Sequence, residues 1–598
     1  MPTNKLSALY GVQRQLRTES FHLYEKTMYE LFQNHEKHDF THILKNFFRS
    51  KRYDLALRFA DSLSEQKYAD AATHFAANQF ALLIRKYPWN PKVVQTDPES
   101  KAIKTFMTAE RKCFLLNRKF VLYDNYRSPI QGSLSAMRSF IRYVIGDSPN
   151  ISKILDSGAF GSGASLGVHG NATHLSRKIL SEKWTVTPGA YTYGYWAMMR
   201  NPQLRELFSE RRGSIFCRDD DASYRAFKAK THVVANNKIS FVPKTASTHR
   251  AIAVEPLLNG YLQKGTDVVM RNALRRIGID LSDQSLNQRL AREGSIDGST
   301  DNAYSTIDLS SASDSISIGL ARSLLPPDWF DFLNSIRSTE YELNGKRYVY
   351  SKFCSMGNGF CFPLESLIFA ACCHASGCGK PGTDFSVYGD DIIVRGLHAK
   401  GVLSLLKAIG FSPNADKTFL SGPFRESCGS DWFGGVDVRP YTLDHALDSL
   451  EACFKWLNLT KRNQFTIDFF SGTSTVLGAI PEQFRFWRPF KGNPDSGIDS
   501  LGGEHLTSPN CFFHRKEQIW YCKALRHVPI SDKRRHADSS RQAIADMYSL
   551  LSGTASSPRY GVDYTFRRKT RATVTFTGVS GATSMWLPGK AFGGPSSY

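Results

Sequence analysis

Apolar positions recur every three to four residues through roughly the first 150 positions, among many charges. The stretch FTHILKNFFRSKRYDLALRFADSLSEQ is typical, and this spacing predicts a run of amphipathic helices. A Gly/Ser-rich stretch at 156–171, DSGAFGSGASLGVHGN, predicts a loop, and the charge-rich residues 200–232 predict exposed helix. From about residue 239 the period changes. KISFVPK and RAIAVEP read as strands ending at proline, and STIDLSSASDSIS as a strand followed by a turn. LESLIFAACC reads as a buried helix and FSVYGDDIIV as a β-hairpin. Beyond 440 mixed helix leads into a basic C-terminal part, where YTFRRKTRATVTFTGV partly alternates and predicts an edge strand. There is no internal repeat and no low-complexity tract.

A chain of 598 residues exceeds what one core holds, so two to four subdomains are expected. The net charge of +21 favours a polyanionic partner, gripped through phosphate contacts and counterion release. Residues 515–571 carry thirteen Lys/Arg against five Asp/Glu. The eleven cysteines do not follow a secreted disulfide pattern. With no apolar leader in MPTNKLSALYGVQ, they fit a reducing cytoplasm, as small core hydrophobes. No apolar run is long enough to span a membrane; FCFPLESLIFAACC comes nearest and contains Glu365 and Pro363.

Three motifs invite chemistry they do not support. GAFGSGASLG has Leu166 where a dinucleotide fingerprint needs its third glycine. His35, His38 and His42 in HEKHDFTH miss the zinc-helix spacing and read as surface histidines. Cys373, His374 and Cys378 lie in an apolar segment and read as core packing.

The hairpin itself raises a question, because Asp390 and Asp391 sit between β-branched runs that want burial. An isolated Gly-Asp is usually a solvated turn. A lone strand-end Asp, such as Asp308 in YSTIDLSSASDS, is usually a helix cap, but Asp308 placed beside the Asp390–Asp391 tip changes the picture. Three carboxylates in one small volume repel each other unless a proton or cations intervene. Two Mg²⁺ ions roughly 4 Å apart would resolve the conflict and clamp both oxygens of a phosphoryl transfer. Lys238, Lys244 and Arg250 in NKISFVPKTASTHRAIAVEP are candidates to grip a triphosphate. Ser355, Gly357, Asn358 and Gly359 in CSMGNGF form a turn that could approach a template or sugar. Lys417 in NADKTF could protonate a departing pyrophosphate, and Arg425 in GPFRESCG could lie near a growing strand.

In order, VPKTASTHRAIAVEP, GIDLSDQSLNQRLAREGS, IDLSSASDSIS, LLPPDWF, SMGNGFCFPLESLIFA, VYGDDIIV, NADKTF and GPFRESCG closely resemble the replicase catalytic subunit of small positive-strand RNA bacteriophages, the Qβ-like group. The resemblance is strong from about 237 to 440. It implies an RNA-dependent RNA polymerase with an α+β right-hand fold of palm, fingers and thumb. The expected division is a helical region with part of the fingers at 1–236, finger strands at 237–300, a palm at 301–430, and a thumb with the basic region at 431–598. By likeness, Asp308, Asp390 and Asp391 hold two Mg²⁺, with Mn²⁺ able to substitute. Asp314, with Asn358 as its polar partner, would inspect the ribose 2′-OH. Ser247 stands where a relative carries a further Lys, leaving fewer cations for the triphosphate. The resemblance also implies RNA template and product, NTPs and initiation without a primer in the cytoplasm of an infected bacterium. The partners it implies are host elongation factors Tu and Ts and a small-subunit ribosomal protein. The rival expectations are a reverse transcriptase and a non-catalytic basic RNA-binding protein.

Overall fold

The Gly-Asp hairpin forms at the centre of a three-stranded antiparallel sheet in the computed structural model. Strand Phe385–Tyr388 pairs with Asp391–Arg395, which pairs on its other edge with Tyr304–Ile307. The structure describes residues 3–64, 66, 68–125, 128–168, 175–208, 220–298, 300–443, 445–489, 493–500, 502–529, 544–545, 547–548, 551 and 570–579. The strands are buried on both faces, which is why they read as continuous apolar runs rather than alternating ones. The segment through NADKTF lies along the free edge of Tyr304–Ile307 through isolated bridges, Thr306 to Phe419 and Leu309 to Pro413.

Helix Cys361–Ala375 runs behind this sheet, apolar on every side and buried from Cys361 to Cys373 apart from Phe362. Pro363 is tolerated because it falls in the first turn, where the backbone N–H groups have no helical partner. A separate four-stranded sheet carries the predicted finger strands, in the order Thr248–Val254, Asn236–Thr245, Glu340–Leu343, Lys346–Val349. The long helix Pro98–Asn125 packs against this sheet and against helix Ile318–Leu324.

Two large cores result. One gathers residues from Phe120 to Phe411 around the three-stranded sheet, with Ala545 and Tyr548 added. The other joins the N-terminal helices, Leu9 to Val94, to residues Val438 to Ile498. The cores therefore divide the chain differently from the expected boundaries: residues 9–94 pack with 438–498, while 120–208 pack with 257–411. The strand expected near the C-terminus is Thr570–Val579, at the edge of a sheet with Ile519–Pro529 and Cys511–His514. Most of the basic stretch between these strands lies outside the described residues. Among the described residues no helix is long and apolar enough to cross a membrane.

Candidate functional site

The strand register brings Asp308 to Asp391. Ile307 pairs with Ile392 in the antiparallel ladder, so one step further places Asp308 opposite Asp391, at the hairpin tip. The tip is a two-residue loop. Gly389 takes φ +62° and Asp390 a negative φ, the arrangement of a type II′ turn. Glycine is required there for a second reason, because a Cβ would stand 2.3 Å from Phe362 Cε2. The Gly389 N–H donates to Ser366 Oγ at 3.0 Å, tying the tip to the helix behind it.

Burial pushes Asp308 up to about 6, with Asp390 and Glu426 adding to it while Lys417 and a hydrogen bond from Asn414 oppose it. Burial pushes Asp391 up to about 7, helped by Asp390, Glu426 and Asp308. The three carboxylates thus share one field. Among the described residues, however, no three His, Cys, Asp or Glu side chains gather closely enough to form a ready-made metal cage.

Of the cations, Lys417 lies nearest this centre. It donates to both oxygens of Glu426 at 3.0 and 3.2 Å. Burial disfavours its charge, but Glu426 and Asp308 together raise its pKa. Lys244 is lowered by burial and by Arg250, Lys417 and Lys86, and Asp308 opposes the shift, so these groups share one neighbourhood. The hairpin tip that carries Lys244 is held from outside: Ala246 N–H donates to Arg85 O at 2.8 Å and Thr96 Oγ1 to Ala246 O at 2.9 Å. Lys238 does not join them. It shares a strand with Lys244, but six extended residues separate the two by about 20 Å, and it stands 4.0 Å from Glu342.

The other sequence candidates divide. Asp314 lies in the turn Ser313–Ser315 and accepts from Lys352 Nζ at 2.7 Å. Glu365 is buried in helix Cys361–Ala375; burial raises its pKa most, and both Asp390 and Asp314 raise it further. Asp314 therefore lies on the acidic side of the site. Gly357, at φ +115°, faces protein rather than an open groove, since a Cβ would meet Ala253 O at 2.2 Å. Gly359 likewise closes on Gln263, whose Oε1 accepts from its N–H at 3.0 Å. Ser355 and Asn358 are buried, and among the described residues Asn358 Oδ1 has no hydrogen-bond partner. Arg425 is a correction: it is fully buried, not exposed to a nucleic-acid strand. Its guanidinium donates to the carbonyls of Tyr304 at 2.7 Å, Gly422 at 2.8 Å and Phe424 at 2.7 Å, stapling strand Phe424–Ser427 to the three-stranded sheet. His35 is occupied too, stacked 4.2 Å from Phe469 and bonded to its carbonyl at 2.8 Å.

Several positioning residues escaped the sequence reading. Asn414 Nδ2 donates to Asp308 Oδ2 at 3.0 Å, and Ser427 Oγ reaches Asp391 Oδ1 at 3.4 Å. Asn287 accepts from Ser386 Oγ at 2.6 Å and donates to Asp391 O at 3.3 Å. Glu426 anchors Lys417. All four sit inside recognisable motifs, but a motif does not say which of its polar residues turns inward.

Fold and site together define a mixed α+β protein whose antiparallel sheet ends in a carboxylate cluster flanked by cations. The RNA replicase beta-chain family matches residues 51–488, and the chain belongs to that family. A relative from Enterobacteria phage SP, an RNA-directed RNA polymerase subunit beta, is 37% identical over 386 residues, covering 63% of this chain and 62% of the relative. The RNA-directed RNA polymerase beta chain of Enterobacteria phage fr is 39% identical over 362 residues, covering 60% and 62%. The subunit beta of Escherichia virus Qbeta is 36% identical over 369 residues, covering 59% and 56%. The chain thus spans about three fifths of the length of these relatives. Among solved structures, the elongation-state RNA-dependent RNA polymerase of BmCPV aligns at a TM-score of 0.35 and 13% identity, covering 59% of this chain and 33% of that one. That likeness is too slight to argue from.

Proposed function

We propose that the protein is an RNA-dependent RNA polymerase that extends RNA by templated nucleotidyl transfer. The observation that carries this reading is the meeting of Asp308 with the Asp390–Asp391 hairpin tip, beside Lys417 and Lys244. Family membership and the polymerase relatives support it. In right-hand terms, the catalytic sheet belongs to the palm, 237–300 to the fingers and 431–598 to the thumb.

The donor set fits divalent metal. All three side chains are hard oxygen ligands, and burial together with neighbouring carboxylates raises Asp308 to about 6 and Asp391 to about 7, a charge conflict that bound cations would relieve. Asp308, Asp390 and Asp391 would hold two Mg²⁺. When bound, the ions acidify the attacking hydroxyl and neutralise charge on the leaving phosphates. Asn414 and Ser427 orient the carboxylates on which this depends. Lys244 and Arg250 would grip the triphosphate, and Lys417, kept charged by Glu426, would hold the proton nearest the departing pyrophosphate. Asp314 would read the ribose 2′-OH, with Ser355 and Asn358 in the adjoining turn. As the 3′-oxygen bonds to the α-phosphorus, the bond to pyrophosphate breaks, and the protein contributes position and fixed charge. Primer-independent initiation, and association with elongation factors Tu and Ts and a ribosomal protein, extend the family likeness to this chain.

The test is Asp390→Asn, assayed for NTP incorporation on an RNA template in Mg²⁺. The expected outcome is a loss of at least about a hundredfold. Incorporation near the wild-type rate would overturn the assignment, and a preference for dNTPs over NTPs would overturn the RNA product.

A further inference from the structure

Lys352 is an enclosed charge near the site. Its side chain has no solvent exposure, yet it comes from the segment after an exposed strand, Lys346–Val349. Its ammonium lies 2.7 Å from Asp314 Oδ1, 3.8 Å from Glu110 Oε1 and 3.7 Å from the centre of the Phe106 ring. A buried ammonium persists only when charge and hydrogen bonds surround it, and here two carboxylates and an aromatic face do so.

The cluster is rigid because its members are held separately. Glu110 and Phe106 belong to the long helix Pro98–Asn125, and Glu110 Oε2 accepts the Ser351 N–H at 2.7 Å. Asn117, two turns further along the same face of that helix, accepts from Gly319 N–H at 2.7 Å and donates to Ser351 O at 2.8 Å. Phe353 N–H donates to Ile316 O at 2.7 Å, so the Lys352 backbone lies beside the turn bearing Asp314. Only Oδ1 of Asp314 is taken; among the described residues Oδ2 accepts nothing, and the side chain keeps 14% exposure.

We propose that Lys352 is a specificity-determining positioning residue: by pinning Oδ1 of Asp314 from the protein side, it leaves Oδ2 as one fixed acceptor for the ribose 2′-hydroxyl. This rests on the reading of Asp314 as the ribose sensor. A free carboxylate could rotate to satisfy itself with water when a 2′-deoxy substrate binds. A clamped one is left unpaired, and that penalty is the source of discrimination.

The experiment compares the ratio of kcat/KM for an NTP to that for the matching dNTP in the wild type, Asp314→Ala, Lys352→Met and Lys352→Arg. The expected result is a drop in the ratio on the order of tenfold or more in both Asp314→Ala and Lys352→Met, with partial recovery in Lys352→Arg. Combining Asp314→Ala with Lys352→Met should add no further loss. If Asp314→Ala leaves the ratio unchanged, the ribose-sensor reading falls. If Asp314→Ala lowers it but Lys352→Met keeps the wild-type ratio, the clamp falls while the sensor stands. Should Lys352→Met not fold because Glu110 is left buried and uncompensated, Lys352→Met with Glu110→Gln is read in its place against the same outcomes.

Discussion

Asp308 and Asp391, raised by burial to about 6 and about 7 from an ordinary 3.8, keep their protons through a range where the unfolded chain has lost them. The folded state therefore binds more protons than the unfolded state between about pH 4 and 7, and stability without divalent ions falls as pH rises through that window. A tenfold change in proton affinity is worth about 1.4 kcal/mol, so two shifts of this size make the loss several kcal/mol in order of magnitude. Denaturant midpoints at pH 5 and pH 8 in EDTA should show the loss. Asp391→Asn should flatten it by half or more, and adding Mg²⁺ at pH 8 should recover stability in the wild type but little in the variant. Equal pH slopes for the two chains would mean that burial does not charge this site as described. Lys352 and Glu426 show the limit of reading at this scale. Asp314 was visible in its motif, but its partner lies 38 positions away, and nothing local marks Lys352 as buried.

The hairpin was the most legible element, because a two-residue loop between β-branched runs leaves the chain little choice. Strands Asn236–Thr245 and Thr248–Val254 were also readable as strands, but Lys238 and Lys244 share a face of the strand and not an end. Alternation says which side a residue faces and nothing about how far along the strand its partner lies. The glycines in CSMGNGF misled for a related reason, since close backbone approach was read correctly and its object was not. The carbonyl Gly357 approaches belongs to Ala253. Gly389 gives the element-scale prediction. Gly389→Ala forces a Cβ into Phe362 and strains a left-handed residue, which together should cost roughly 1–3 kcal/mol and displace the carboxylates. Adding Phe362→Ala opens the steric half alone. If the pair of changes recovers thermal stability but not incorporation, the turn geometry itself is what the chemistry requires. Recovery of both would assign the whole defect to packing.

At the scale of the molecule, amphipathic periodicity announced the N-terminal helices but could not name what their apolar faces meet. They meet residues more than three hundred positions away. Phe75, Phe80 and His35 pack on Phe469, Gln79 exchanges hydrogen bonds with the Tyr441 backbone, and Gln13 donates to Glu451 at 2.7 Å. The same N-terminal unit supports the Lys244 side of the site, since Arg85, Lys86 and Thr96 hold the loop next to Lys244. Its covalent continuity should therefore matter less than its presence. A protease site placed in the exposed turn at 90–93 and cleaved after folding should leave two pieces that co-elute and still incorporate NTPs, because the shared core holds them together. Deleting residues 1–91 should do the opposite. It strips the partner from Leu447, Leu450, Phe454 and Trp456, exposing an apolar face large enough to drive aggregation, and it loosens the Lys244 loop by removing Arg85 and Lys86. Size-exclusion chromatography and an incorporation assay on the two preparations separate the cases. A deleted chain that stays monomeric with an unchanged KM for NTP would show that the N-terminal helices are an appendage, not half of a core that the catalytic site depends on.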